Sequence, residues 1–344
     1  MESRHLIPGT MRIVEALNAL NSLSGDALTL FVTDEEGRLS GSVTDGDIRR
    51  ALISGHRLED PIGRIARRDF KRIEITSDNP LEDPRLVAEA RLGGITLMPI
   101  VRDGFLVKLI DLRRMRGWVP AAGVLMAGGA GERLRPLTAT IPKPLLEVGG
   151  KPIIEHNIEL LRSFGIEDLY ITVNYLKEQI IRRYGDADSA VKCVEEPEKL
   201  GTMGSLSLIE GLQARNVVVM NSDLLTDINL EEMWLKHVET GADLTVAVTP
   251  YTVSVPFAIM RNEGDRVEGI VEKPTFNYYA NAGIYILRHE VKESLEKGRY
   301  LDAPDIIERL IKEGGRVSQY IINGRWIDIG SPDDYRHACE LMSR

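Results

Sequence analysis

The chain has 344 residues, 43% apolar and 28% charged, which is ordinary globular composition with length for two domains; no apolar run approaches a membrane span. Residues 1–118 carry 18 basic and 18 acidic side chains, so the whole net charge of −9 belongs to residues 119–344, and without a basic stripe neither nucleic acid nor an anionic membrane is an expected partner. The opening MESRHLIPGT lacks the apolar core of a signal peptide, and Cys193 and Cys339 stand far apart without metal-ligand spacing, so a cytoplasmic address is expected, with both cysteines as small core hydrophobes.

Two units repeat in the first 118 residues. In the first, Ile13, Leu17 and Leu20 predict a helix, followed by a strand over 29–32, a turn at Glu36-Gly37, a strand over 39–43 and a helix from Asp47. Residues 81–115 repeat the order: helix, strand over 95–101, turn at Asp103-Gly104, strand over 105–110, short helix. Neither unit is large enough for a core of its own, so the two should pack on each other. The pair resembles tandem CBS domains, regulatory modules that often bind adenine or guanine nucleotides in the clefts between units, and the stretch Gly41-Ser42-Val43-Thr44-Asp45-Gly46-Asp47-Ile48 carries the match. The resemblance implies that Thr44 and Asp47 meet a nucleotide's phosphate and ribose; the same two residues also make an ordinary turn and helix cap. No Thr follows Leu109-Ile110 in the second unit, so at most one cleft keeps the usual residues. Such pairs commonly dimerise, which makes a homo-oligomer the expected assembly.

Gly117 and Pro120 end this 1–118 module in a linker too short for free tumbling, and a second domain is expected over 121–344. It opens with an apolar strand, Val124 to Ala127, emptying into Gly128, Gly129, Ala130 and Gly131, then Glu132, Arg133 and Arg135. Small residues let backbone N–H groups approach an anion, and arginine supplies forked donors, so the loop reads as a polyphosphate site. A Walker loop would need Lys and Ser or Thr after Gly131, and a dinucleotide fingerprint a glycine at Leu134; both fail.

The order Gly-Gly loop, Arg133-Leu134-x-Pro136-Leu137-Thr138, Pro142-Lys143-Pro144 and Gly150-x-Pro152 resembles the signature of sugar-1-phosphate nucleotidyltransferases. The resemblance implies an α/β fold of the Rossmann-like, doubly wound, GT-A-like kind with a mostly parallel sheet, NTP and a sugar 1-phosphate as substrates, and Mg²⁺ as cofactor. It also implies that Ala127, Gly128, Gly129 and Gly131 hold the nucleotide, that Arg133 meets the leaving pyrophosphate, and that Lys143, braced by two prolines, meets the phosphates at the reacting centre.

A helix ending at Gly165 and a strand come next, the alternation of a parallel sheet, which places binding beyond the carboxyl ends of the strands. Glu196 to Gly204 resembles the family's base-recognition segment, with Gly201 and Thr202 bringing backbone to the base and Glu196 where thymidylyl and uridylyl members often carry Gln. A carboxylate can accept both N1–H and N2–H₂ of guanine, whereas uracil or thymine offers one N–H between two carbonyls, so GTP is favoured over UTP, dTTP or CTP. The β-branched run before Asn221 predicts a buried strand delivering Asp223, while Asp227 reads as a turn or helix cap. By resemblance Asp223 and Asp328 are the metal-binding pair, Glu272 and Lys273 meet the sugar hydroxyls and sugar phosphate, and Asn281, in Asn281-x-Gly283, also reaches the sugar. Residues 331–344 form a final helix, with no hexapeptide repeats. At closer range the order of modules resembles bacterial CBS-bearing guanylyltransferases that activate glucosamine 1-phosphate for legionaminic acid. The rival of another class is a nucleotide-sensing CBS protein whose transferase half is only a scaffold.

Overall fold

The computed structural model describes residues 2–23, 26–75, 84–185 and 191–343, which form two compact units, Met1–Trp118 and Val119–Arg344.

The first unit holds two three-stranded sheets. Leu6–Pro8 pairs parallel with Thr29–Thr33, which pairs antiparallel with Leu39–Thr44; Ile73–Glu74, Leu97–Arg102 and Phe105–Asp111 repeat the arrangement. The pleat explains the packing. Leu30 and Val32 face the helices Ile13–Ser22 and Asp45–Ile53 with Ile13, Leu20 and Ile48, whereas Phe31 points the other way and meets Leu97 and Val101 of the second sheet. The two repeats thus share a core.

Three sequence expectations need amendment. Leu6–Pro8 and Ile73–Glu74 are strands too short for alternation to reveal. The second helix begins at Asp45 because Thr44 caps it, its hydroxyl accepting from the Asp47 N–H. After Asp111 there is a turn in place of the short helix, since the Asp111 carboxylate accepts the Arg113 N–H at 3.1 Å. The start of the second repeat, residues 81–83, lies outside the described residues, and its helix is seen over Pro84–Leu92.

The second unit is built on seven strands: β1 (Ala122–Ala127), β2 (Leu169–Val173), β3 (Val191–Glu195), β4 (Asn216–Asn221), β5 (Leu244–Ser254), β6 (Thr275–Arg288) and β7 (Val317–Ile321). Their order is β3-β2-β1-β4-β6-β5-β7, parallel throughout except for β6, which runs antiparallel to both neighbours. A mixed α/β fold with a mostly parallel central sheet is therefore observed.

Alternate residues supply two cores. Leu125, Val218, Met220 and Ile284 pack beneath the helices Ile153–Ser163 and Leu230–Thr240, while Val124, Val217, Val219 and Tyr285 face Leu206 and the helix Ala303–Lys312. Gly123 lets one helix layer close on β1: an added Cβ would stand 2.7 Å from Leu169 Cδ2 and 3.1 Å from Ile166 and Leu161. Beyond the sheet, the outer halves of β5 and β6 continue as an exposed ribbon, joined by the hairpin Ile259–Glu263 and Arg266–Val271.

Candidate active site

At the carboxyl end of β1 the chain turns through the glycine loop into three single-turn helices, Glu132–Leu134, Leu137–Ala139 and Lys143–Leu145. Gly131 has φ +60°, and a Cβ there would lie 3.0 Å from Thr138 and 3.1 Å from the Lys143 Cβ, so a glycine lets the loop fold back on the lysine-bearing turn. The Thr138 hydroxyl donates to the Gly131 carbonyl at 2.8 Å, and the Tyr175 hydroxyl to the Thr138 carbonyl at 3.0 Å.

Two adjoining cavities open here. One of about 390 Å³ is lined by Gly129, Ala130, Gly131, Arg133, Lys143 and Asp223; the other, about 300 Å³, by Gly128, Glu196, Gly201, Thr202, Asn221 and Asp223. Ala127 lines the first.

The charged centre of the first cavity is Lys143. Its side chain is nearly buried, and its ammonium lies 2.5 Å from Asp223 Oδ2 and 3.8 Å from Asp328 Oδ1. Leu224 is in register with Asp328 on a small antiparallel ribbon, so two stretches a hundred residues apart present their carboxylates side by side. Burial first, and then the charge of Asp223, push the Asp328 carboxyl above the usual carboxylate range, against the pull of Lys143 and Arg133. Asp223 Oδ1 is buried without a hydrogen-bond partner. An unpartnered carboxylate oxygen beside a second carboxylate suits a hard divalent cation. Among the described residues no group of three or more His, Cys, Asp or Glu is placed to hold a metal ion, so further ligands to an ion on this pair would come from phosphate and water.

Side chains not singled out in the sequence hold this arrangement. Buried Asn157 donates to the Ser222 carbonyl at 3.1 Å, and the Ser222 hydroxyl to the Met126 carbonyl at 2.6 Å, fixing the backbone ahead of Asp223 to β1. Trp326 Nε1 donates to the Ala282 carbonyl at 2.9 Å, tying the Asp328 ribbon to the start of the buried half of β6. A lone Asn on an apolar helix face carries no periodic signal that marks it out. Asp227 does not cap the next helix, which Asn229 caps; its carboxylate takes the Arg325 N–H at 2.6 Å.

In the second cavity Glu196 is almost wholly buried, and burial raises its carboxyl above the usual range although the Leu200 N–H donates to it at 3.3 Å. Its carboxylate lies over Gly128, where an added Cβ would be 2.7 Å from Oε1. The Thr202 N–H and hydroxyl both approach Asp302 Oδ1, at 3.0 and 3.5 Å, and Tyr300 donates to Oδ2 at 2.7 Å; hence the Thr202 N–H expected at the base is engaged with Asp302. Asp302, Tyr300 and Lys199 line this wall; sequence reading passed over Asp302 and Tyr300 and gave Lys199, inside the segment from Glu196 to Gly204, no role of its own. The acidic start of a helix, Asp302 as cap and Asp305 in its first turn, is the signal that could have pointed there.

The sugar-side residues divide. Gly283, at φ +71°, packs on Asn221, whose Nδ2 would be 2.5 Å from an added Cβ. Asn281 donates to the Tyr285 hydroxyl at 2.8 Å and accepts the Gly283 N–H at 2.9 Å. Glu272 and Lys273, between the 259–271 hairpin and the outer end of the exposed ribbon, line neither cavity, and Lys273 has φ +42°.

In the first unit, Thr44 and Asp47 share a separate cavity of about 460 Å³. The Thr44 hydroxyl and N–H donate to Asp47 Oδ2 at 2.6 and 2.9 Å, and Arg50 donates to Oδ1 at 2.6 Å. Burial opposes ionisation of Asp47, yet these partners outweigh it and hold the carboxyl below its usual range.

Residues 122–343 match the family described as nucleotidyl transferase. Mannose-1-phosphate guanylyltransferase 1 of Arabidopsis thaliana is 32% identical over 225 residues, covering 62% of this chain and 62% of its own. The mannose-1-phosphate guanyltransferase of Debaryomyces hansenii is 32% identical over 230 residues with the same coverages. The match thus spans 62% of the length of these curated relatives. Among solved structures, HddC from Yersinia pseudotuberculosis complexed with GMP-PN superposes with a TM-score of 0.50 at 25% identity, covering 64% of this chain and 99% of that one.

Proposed function

The chain belongs to the nucleotidyl transferase family, and on that premise we propose that it is a sugar-1-phosphate guanylyltransferase, converting GTP and a hexose or hexosamine 1-phosphate to GDP-sugar and pyrophosphate. The observation that carries this reading is the pair of adjoining cavities with Asp223 on the wall of both, one glycine-lined and cationic, the other bearing a buried carboxylate. A nucleotide laid across them puts its base by Glu196 and Gly128 and its phosphates by Arg133, Lys143 and the glycine loop. The names of the relatives agree with guanine as the base.

An oxygen of the sugar phosphate attacks the α-phosphorus of GTP; that P–O bond forms while the bond to the β-phosphate bridging oxygen breaks, and the electron pair leaves with pyrophosphate. No general base is required, because a phosphomonoester with a second pKa near 6 is already mostly dianionic at neutral pH. Lys143, held at a fixed place by Asp223 and Asp328, and Arg133, whose guanidinium packs on Gly330, bring the two anions together and oppose the charge that builds on the departing group. Asp223 and Asp328 are the residues that would hold Mg²⁺, which when bound neutralises phosphate charge as a Lewis acid.

Residues 1–118 fit a tandem CBS pair that tunes or assembles the enzyme. Their support is the repeated strand–helix–strand–strand order and the cavity at Thr44 and Asp47, where an adenine or guanine nucleotide is the expected ligand. Pyrophosphate release with GTP, UTP, dTTP and CTP against mannose 1-phosphate and glucosamine 1-phosphate tests the whole reading. GTP is expected to lead; absence of pyrophosphate with every pair defeats the proposed reaction.

A further inference from the structure

We propose that Lys199 is the cation that binds the α-phosphate of the nucleotide, where nucleoside and triphosphate meet; this rests on the nucleotide placement proposed for the two cavities. Those cavities share Met126, Gly129, Lys199 and Asp223 on their walls. A nucleotide with its base at Glu196 and its outer phosphates at Arg133 passes its α-phosphate through that shared stretch. Of the four, one side chain is apolar, one is absent and one is acidic, so Lys199 alone can answer the phosphate's charge. Lys143 lines only the first cavity, where it serves the phosphates beyond that stretch.

Lys199 is exposed and makes no ion pair among the described residues, although its charge helps keep the Asp302 carboxyl ionised. Its backbone is well placed. The Glu196 N–H donates to the Val173 carbonyl at 2.9 Å, the Leu200 N–H donates back to the Glu196 carboxylate, and Leu200 itself is buried. One short loop, anchored at both ends, thus carries the buried base-side carboxylate and, three residues on, the free ammonium. An ammonium at the α-phosphate both binds the ground state and opposes the charge that grows on its non-bridging oxygens during attack.

The test compares wild type, Lys199→Ala and Lys199→Arg as full chains, by calorimetric titration with guanosine, GMP and pyrophosphate in EDTA, alongside turnover. Losing a charge-assisted contact is expected to lower GMP affinity about tenfold or more in Lys199→Ala, with guanosine and pyrophosphate within about twofold of wild type and Lys199→Arg largely restored. Unchanged GMP affinity, equal loss for guanosine and GMP, a loss centred on pyrophosphate, or a wild type that prefers GMP no more than guanosine each overturns the assignment. A selective GMP loss in a protein that releases no pyrophosphate from any substrate pair keeps Lys199 as the phosphate ligand and defeats only the proposed reaction.

Discussion

Gly128→Ala and Gly129→Ala are adjacent substitutions of one methyl each, and the structure assigns them different failures. Neither glycine has a positive φ, so the backbone tolerates alanine at both. At 128 the new methyl stands 2.7 Å from Glu196 Oε1, closer than Cβ atoms come, with Cδ and Oε2 crowded at 3.2 and 3.3 Å. The carboxylate has to move, and in a nearly sealed site it leaves the Leu200 N–H, a loss on the order of 1–3 kcal/mol when a buried group goes unpaired. Because Glu196 is the proposed reader of guanine, the GTP to UTP ratio of kcat/KM should fall about tenfold or more, and Tm should drop by several degrees. At 129 an added methyl meets no protein atom within 4 Å, so stability should be unchanged. That methyl instead projects where backbone must approach phosphate, and KM for every NTP should rise together. Steady-state pyrophosphate release and a thermal melt on each variant decide the matter. If Gly128→Ala kept the wild-type GTP to UTP ratio, the contact between Gly128 and Glu196 would have no part in base selection.

Asp223→Asn and Asp328→Asn should each lower turnover on the order of 100-fold with folding retained, since each removes a charge from beside Lys143, at the proposed metal site, at constant volume; wild-type rates at limiting Mg²⁺ in both would remove them from the reaction. Glu196→Gln should shift preference from GTP toward UTP by about ten- to a hundredfold, because an amide accepts from only one of guanine's two donors, and the ratio of the two kcat/KM values reads it directly. Buried His237, its Nδ1 2.8 Å from Thr245 Oγ1, has its pKa lowered from 6.5 to about 4 by burial and then by Arg288. The unfolded chain therefore binds the extra proton between these values, so this stabilisation is complete above pH 6.5 and is lost as pH falls toward 4, up to about 3 kcal/mol. Urea unfolding of wild type and His237→Gln across that range should show the variant with the shallower pH dependence.

What sequence alone determined is what local rules control. The run Val217 to Met220 can only be a strand buried on both faces, and all four side chains are; Gly37, Asp103 and Gly104 turn with positive φ where turn chemistry requires it. The order of the glycine loop, Arg133 and Pro142-Lys143-Pro144 was enough to expect phosphate chemistry, because loop and lysine are close in sequence and contact between them is cheap. Long-range closure decided the rest. Lys143 sits between Asp223 and Asp328 only because β4 and the Trp326–Asp328 ribbon converge; no residue type announces that the Thr202 N–H is taken by Asp302, or that Asn157 pins the backbone before Asp223. Two- and three-residue strands such as Ile73–Glu74 likewise exist because a neighbour pairs with them, not because of a preference of their own. A side chain's type states which interactions it can make, and the packed core determines which partner lies close enough to make them.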